Sequence, residues 1–358
     1  MKILEVCTID FGLNGIPAHI RNYYNSLKKE NHVDIVAPNF NKKMLKTMPL
    51  ENHTRLYSIN RRKNPIKYIV LLRKLVLKNK YDIIHVHGNS GTMGLEVLAC
   101  KNSGAKIFVH THNTQWSAKI LSFLLKNFMI KNADMLCAAS EEAGHKLYGN
   151  RNFVIINNGI ETENFKFNSK SRKGIRNKFN ISDDVILLGH VGRFNYQKNQ
   201  DFLIEIAKKI KFKNKDKYHF MLIGEDDKTK FIEKLQLENV EDMFTVLDAT
   251  DRINEFYSAF DIFLFPSLFE GLGMAAIEAQ YAGLKTIVSN KVPQAVRVTN
   301  SITFLPLNVD NWVKEIKKES DIERNTKIIS SKYDIKTCSK KLMYLYTKAC
   351  NIKTKKDV

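Results

Sequence analysis

Strand-like and helix-like segments follow one another almost without a break along this chain, and that alternation limits its fold more than any other feature. Short apolar, β-branched runs bounded by polar turns read as buried strands, and longer amphipathic stretches between them read as helices. Strands joined through helices lie parallel, so the order implies sheets of the doubly wound kind. In the first half, strands are expected near 3–9, 33–37, 82–86, 106–110, 134–139 and 153–156, with helices near 17–29, 65–78, 91–102 and 117–130. The second half repeats the scheme, with strands near Val185, Phe220, Phe244, Ile262, Thr286 and Ile302. A length of 358 residues is enough for two such domains, each with its own core. The polar, turn-rich stretch Asn157–Phe165 (NNGIETENF) is the expected seam.

Composition sets the outer bounds. Hydrophobic residues make up 44% and charged residues 26%, ordinary for a globular protein. No apolar run reaches the roughly 18 residues that span a bilayer. The start, MKILEVC, enters a strand directly and lacks a signal-peptide layout, so a cytoplasmic protein is expected. Five cysteines (Cys7, Cys100, Cys137, Cys338, Cys350) show no C-x-x-C spacing, and their odd number argues against a disulfide framework. The net charge of +20 calls for an anionic partner. Nucleic acid ranks last, because no zinc-finger spacing or RNP-type aromatic motif occurs. An anionic membrane face or an anionic substrate remains.

Two motifs carry chemistry. Glu270 and Glu278 sit eight residues apart in FEGLGMAAIEA, directly after the apolar run Asp261–Pro266. That run reads as a strand and Gly273–Ala282 as a helix, which puts Glu270 in the loop at the strand's carboxyl end and Glu278 inside the helix. Ligands of open α/β sheets bind at that edge, and a helix start offers N–H groups to an anion. One carboxylate is then placed for sugar hydroxyls and the other for a nucleotide ribose. Taken alone, the spacing fits equally two solvated acids around a helix start. The second motif is LGHVGRFNYQKN, Leu188–Asn199, where Arg193 and Lys198 fall in a strand-to-helix loop. Two fixed cations there suit a diphosphate leaving group. In a chain with 57 Lys and Arg, R-x4-K gains meaning only from the glutamate motif downstream.

The order G-R-F-x3-K, then F-P-S-x2-E-G-x-G-x4-E-A, resembles the retaining glycosyltransferases of family 4. The match is strongest over 185–290 and continues more weakly from residue 1 to about 345. The resemblance implies the GT-B fold, two Rossmann-like doubly wound domains facing a central cleft. It divides the chain into an acceptor domain 1–160, a nucleotide-sugar domain 161–335, a helix 336–351 crossing back to the first domain, and a tail 352–358 expected to be disordered. It implies retaining transfer of a hexosyl or N-acetylhexosaminyl group from a nucleotide-diphosphate donor, UDP foremost. The acceptor would be a hydroxyl of a polyprenyl-linked or other oligosaccharide in capsule, exopolysaccharide or O-antigen synthesis. Carried over residue by residue, Arg193 and Lys198 bind the diphosphate, Glu278 the ribose, and Glu270 with the amides of Gly271, Leu272 and Gly273 the sugar. Gly224, Glu225 and Asp248 lie in loops flanking the nucleobase, though either acid could be a helix cap. In the first domain Gly15 and His112 are the matching positions. The loop FGLNGIPA departs from the family, which has two adjacent glycines and a glutamate there. Arg193, Lys198, Glu270 and His112 would carry catalysis, by positioning and by stabilising the departing diphosphate. No protein nucleophile is evident, and front-face attack aided by the donor phosphate is the usual proposal for the family. No cofactor and no divalent metal are expected.

Two histidine pairs, His85-Val86-His87 and His110-Thr111-His112, each end an apolar strand. Residues two apart share a face, so four imidazoles could suggest a metal; with no carboxylate or cysteine cluster in view, hydrogen bonding at strand ends is expected instead. Two stretches, Arg61–Lys80 and Lys119–Lys131, mix apolar faces with dense basic charge. They fit either core-facing helices with a solvated basic side or membrane-surface helices. With the +20 charge, they suggest peripheral association with the inner face of the cell membrane. A catalytically silent scaffold would be expected to have lost Arg193, Lys198 or a motif glutamate. A dehydrogenase would need G-x-G-x-x-G after the first strand, where FGLNGI stands.

Overall fold

The computed structural model describes residues 1–351 apart from 13–14, 43–44, 46–47, 114–118, 319–323 and 326. The expectations for Asn14, for the start of the helix near 117 and for the 352–358 tail therefore lie outside the described residues. The described strands form two all-parallel sheets. The first is built from β1 (Lys2–Cys7), β2 (His32–Ala37), β3 (Leu56–Ser58), β4 (Ile83–Gly88), β5 (Lys106–Thr111), β6 (Met135–Ala138) and β7 (Val154–Ile155). Its spatial order is β3-β2-β1-β4-β5-β6-β7. The second holds β8 (Ile186–Val191), β9 (Tyr218–Gly224), β10 (Phe244–Asp248), β11 (Ile262–Phe265), β12 (Lys285–Ser289) and β13 (Ile302–Leu305), ordered β10-β9-β8-β11-β12-β13. Both sheets thus reverse direction once, between β1 and β4 and between β8 and β11, and that reversal opens a crevice at the strands' carboxyl ends.

The central strands are buried on both faces because helices cover both. In the first unit one cluster packs Ile3, Cys7, Phe108 and Cys137 under the helices Ile16–Leu27 and Ile335–Asn351. A second cluster on the opposite side joins Leu4, Val6, Val86 and Val109 to Tyr68, Leu72 and Val76. The other unit has its own core around Leu188, Phe220, Leu264, Ile287 and the fully buried Trp312.

The chain divides into Met1–Glu161 with Lys332–Val358, and Thr162–Ser331. The return at 332 follows from backbone pairing: Ile160 donates to the Tyr333 carbonyl at 2.8 Å and accepts from the Ile335 amide at 2.9 Å. Cys338, Leu342 and Tyr346 of the last helix then enter the first core.

Three elements differ from the sequence reading. The edge strand β3 has three residues, too few to show a period. The stretch expected as one helix at 91–102 is a 3-10 turn, Gly91–Met93, followed by a helix, Gly94–Cys100. A Cβ on Gly91 would run into the Ser122 carbonyl, and one on Gly94 would lie 2.9 Å from the Leu125 Cβ, so both glycines admit the helix Lys119–Asn132. The basic stretch at 61–80 becomes helical only at Pro65, where Asn64 caps the Lys67 amide at 2.9 Å. Arg61 instead pairs at 2.9 Å with the fully buried Glu96, and Arg73 donates to the Lys101 carbonyl at 3.1 Å. Two of the eight Lys and Arg between 61 and 80 are thus tied to the fold.

Candidate functional site

The loop from Gly192 to Gln200 is fixed before any ligand is considered. The Gly192 amide donates to the Ile223 carbonyl, and the Phe194 amide to the Glu225 carbonyl, both at 3.0 Å. This lays the loop over the end of β9. A Cβ on Gly224 would collide with the Gly192 carbonyl, so Gly224 is demanded by the chain itself. His190, buried at the end of β8, uses Nδ1 on the Leu264 carbonyl at 2.9 Å and Nε2 on Gln200 at 3.3 Å. Burial drops its pKa to about 4, which keeps the ring neutral and able to do both. Gln200 also donates to the Arg193 carbonyl at 2.8 Å. Sequence reasoning missed His190 and Gln200; the signal was a histidine inside an apolar strand.

On this frame the predicted side chains converge. Lys198 Nζ lies 2.6 Å from Glu270 Oε1 and sits over the Phe265 ring, 4.6 Å from its centroid. Gln197 Nε2 donates to the other Glu270 oxygen at 3.2 Å. The Leu268 amide donates to the Gln197 carbonyl at 2.8 Å, stitching the loops after β8 and β11 together. Glu278, on the helix Met274–Tyr281, accepts from Tyr257 Oη at 2.8 Å. Burial raises its pKa, while the Tyr257 hydrogen bond and the Lys198 charge oppose that rise. Gly273, at φ 100°, turns the chain into that helix, and a Cβ there would lie 3.2 Å from the Phe265 ring. Gly271 and Leu272 complete the turn before it. Arg193 is exposed, and its guanidinium has no hydrogen-bond or ion-pair partner among the described residues.

The nucleobase-side positions are less gathered. Glu225 lends its carbonyl to the Phe194 amide, and Asp248 is exposed at the end of β10, paired with Lys228 at 2.7 Å. That lysine holds the Asp248 carboxyl below its ordinary range. Neither carboxylate caps a helix in this arrangement.

In the first unit, Gly15 adopts φ 70° and opens the helix Ile16–Leu27. Only glycine adopts that backbone freely. His112 follows β5, half-buried, with Nε2 3.0 Å from His87 Nδ1. His87 Nε2 meets Glu5 Oε2 at 2.6 Å, and His85 Nδ1 meets Tyr346 Oη at 2.6 Å. The histidines therefore do have a carboxylate among them, contrary to the sequence reading. Glu5, a lone acid in an apolar strand, lies across from His85 in the β1–β4 register. Burial pushes its pKa up to about 8, eased by the Tyr346 hydroxyl. Burial also lowers the pKa values of His85, His87, His110 and His112, and takes His19 to about 4.

Two doubly wound units, one with paired cations and carboxylates at its switch point, define a protein of the GT-B class. Residues 13–164 match the family described as Glycosyltransferase Family 4, and residues 171–332 match Glycosyl transferases group 1. The chain belongs to these family 4 glycosyltransferases. EpsF of Bacillus subtilis, named as a glycosyltransferase, is 30% identical over 247 residues, 65% of this chain and 64% of EpsF. The Escherichia coli UDP-Gal:alpha-D-GlcNAc-diphosphoundecaprenol alpha-1,3-galactosyltransferase is 28% identical over 278 residues, 72% of this chain and 70% of that one. The matches thus span about two thirds of the length of these curated relatives. Among solved structures, HepE of Anabaena in complex with UDP superposes with a TM-score of 0.79 at 15% identity, covering 97% of this chain and 100% of HepE.

Proposed function

We propose that this protein transfers a sugar from a nucleotide-diphosphate donor to an acceptor hydroxyl with retention of anomeric configuration. One observation carries the reading: an unpartnered Arg193 guanidinium, the Lys198–Glu270 pair and Glu278 gather at the switch point of one sheet. A diphosphate docking there meets two cations, and as the glycosidic bond breaks the charge on the leaving group grows against them. Glu270, freed in part as Lys198 turns to phosphate, accepts hydrogen bonds from sugar hydroxyls, together with the turn at Gly271–Gly273. Tyr257 occupies one oxygen of Glu278, leaving the other for the ribose. Gly224, Glu225 and Asp248 offer a surface beside the base. The carboxyl-end edge of the first sheet, with Gly15 and His112, takes the acceptor. With no evident nucleophile, retention follows from front-face attack, the donor phosphate receiving the acceptor proton.

UDP is the favoured nucleotide, because the HepE structure is a complex with UDP and the E. coli relative is named for a UDP-linked hexose. That relative's name also supports a diphosphoundecaprenol-linked acceptor, which suits a basic protein working at the inner membrane face. Arg193 and Lys198 supply the charge that Mg²⁺ or Mn²⁺ provides elsewhere, so no divalent ion is required at the diphosphate. The test is a thermal-shift and turnover screen against UDP-, GDP- and ADP-sugars, with the product anomer read by NMR. A UDP-sugar should raise Tm in the wild type and not in Arg193→Ala, and added Mn²⁺ should leave the rate unchanged. No stabilisation by any nucleotide diphosphate, or an inverted product, would overturn the proposal.

A further inference from the structure

We infer that His19, His87, His110 and His112 form a binding site for a single zinc-class divalent cation inside the first unit. The inference runs against the expectation from sequence that this chain has no metal site, and it gives His112, placed above on the acceptor side, a role as a ligand. One nitrogen from each of the four rings lies within 4.8 Å of the others. Ligands of a tetrahedral zinc at 2.0–2.1 Å stand about 3.3 Å apart. Small rotations of rings already gathered would therefore close the set. Four imidazoles favour zinc, cobalt, nickel or copper over magnesium or calcium, which prefer oxygen.

The hydrogen bonds around the cluster already orient the rings for metal. His87 Nε2 lies 2.6 Å from Glu5 Oε2, and with Nε2 as the donor of that bond Nδ1 is a lone pair facing the cluster. Asn158 Oδ1 takes one from His19 Nδ1 at 2.9 Å, which leaves Nε2 free, and that nitrogen is buried with no partner. Such outer carboxylate and amide partners are what hold metal-binding histidines in place.

His110 is the least explicable residue otherwise. It is fully buried on β5, and neither ring nitrogen has a hydrogen-bond partner. A buried imidazole normally finds a partner, and a cation among the four rings would be one. His112 is half-buried, the most accessible of the four, and gives the ion a route in. Its Nε2 now faces His87 Nδ1 at 3.0 Å; on binding, the proton held between them moves to the other nitrogen of the His112 ring, and both facing nitrogens become ligands.

The test uses untagged full-length protein, since a polyhistidine tag would bind the same ions. Stripped protein is titrated with Zn²⁺ against a chromophoric chelator, and with Co²⁺ followed by visible absorption. The expected result is one equivalent per chain with submicromolar affinity and intense tetrahedral Co²⁺ bands. His110→Gln and His19→Gln, with circular dichroism unchanged, should each weaken binding at least a hundredfold, whereas His32→Gln, remote from the cluster, should not. If a cluster variant fails to fold, the wild-type cobalt spectrum still decides: weak octahedral bands, or no uptake, overturn the inference. Equal uptake by wild type and folded His110→Gln overturns it too, and would mean that the cluster holds water.

Discussion

Arg193 and Lys198 carry the same charge in opposite circumstances, and the contrast predicts different mutants. Arg193 is exposed and unpartnered, so Arg193→Ala should leave Tm unchanged while lowering kcat by about 10²–10³, the usual loss for one charge-stabilising donor. Lys198 neutralises Glu270, whose side chain is only 7% exposed. Lys198→Ala should cost similar activity and also roughly 1–3 kcal/mol of stability, because a largely buried carboxylate loses its charged partner. Pairing it with Glu270→Gln should restore most of that stability and none of the activity. Urea melts and initial rates on the three variants decide it; unchanged stability in Lys198→Ala would show the ion pair to be incidental. Glu278→Ala should likewise lose activity and keep the fold. The charged residues of this site were legible in the sequence because their spacing is tied to strand ends. The uncharged supports, His190, Gln200 and Tyr257, were not, since each earns its place through a contact with a residue distant in the chain.

At the scale of elements, the sequence showed what is periodic and hid what is short or set by a neighbour. The parallel strands of both sheets were visible as apolar runs, whereas β3 was too brief and the break at Gly94 is imposed by Leu125 of an adjacent helix. Glu5 escaped notice because a single acid in an apolar strand looks like an exception until β4 places His85 and His87 beside it. The last helix, Ile335–Asn351, is the clearest case of an element whose role only the fold reveals. Tyr346 from it is fully buried, packs edge-on against Phe108 at 5.0 Å and bonds His85. Tyr346→Ala should therefore cost about 3–5 kcal/mol, as large aromatic deletions from cores do. Tyr346→Phe should cost less, roughly 1–3 kcal/mol, through His85 and Glu5 losing a buried partner. Chemical denaturation of the whole protein measures both; a Phe variant as damaged as the Ala variant would mean that the hydroxyl, not the ring, dominates.

For the molecule as a whole, the charge of +20 has a place to act on the first unit. The helix Pro65–Asn79 buries only Tyr68, Leu72 and Val76 and leaves Ile66, Val70, Leu71 and Leu77 exposed beside Lys67, Lys74 and Lys78. It packs on Gly94–Cys100, which packs in turn on Lys119–Asn132, where Ile120, Phe123 and Leu124 are exposed. Three neighbouring helices thus show apolar side chains to the outside, with cations among them, the composition of an interfacial membrane surface. No helix among the described residues is long and apolar enough to cross a membrane. Each lysine near an anionic leaflet contributes about 1 kcal/mol, so three with the apolar side chains are expected to give reversible binding. The protein should sediment with vesicles containing anionic lipid at low salt and release at high salt, where screening shortens the reach of each charge. Arg61 and Arg73 are left out of the test because they hold Glu96 and the end of the neighbouring helix. Lys67→Glu, Lys74→Glu and Lys78→Glu together should reduce vesicle binding at least tenfold without altering affinity for a UDP-sugar. A triple variant that sediments like the wild type, or a wild type indifferent to anionic lipid, would assign the charge to another cause.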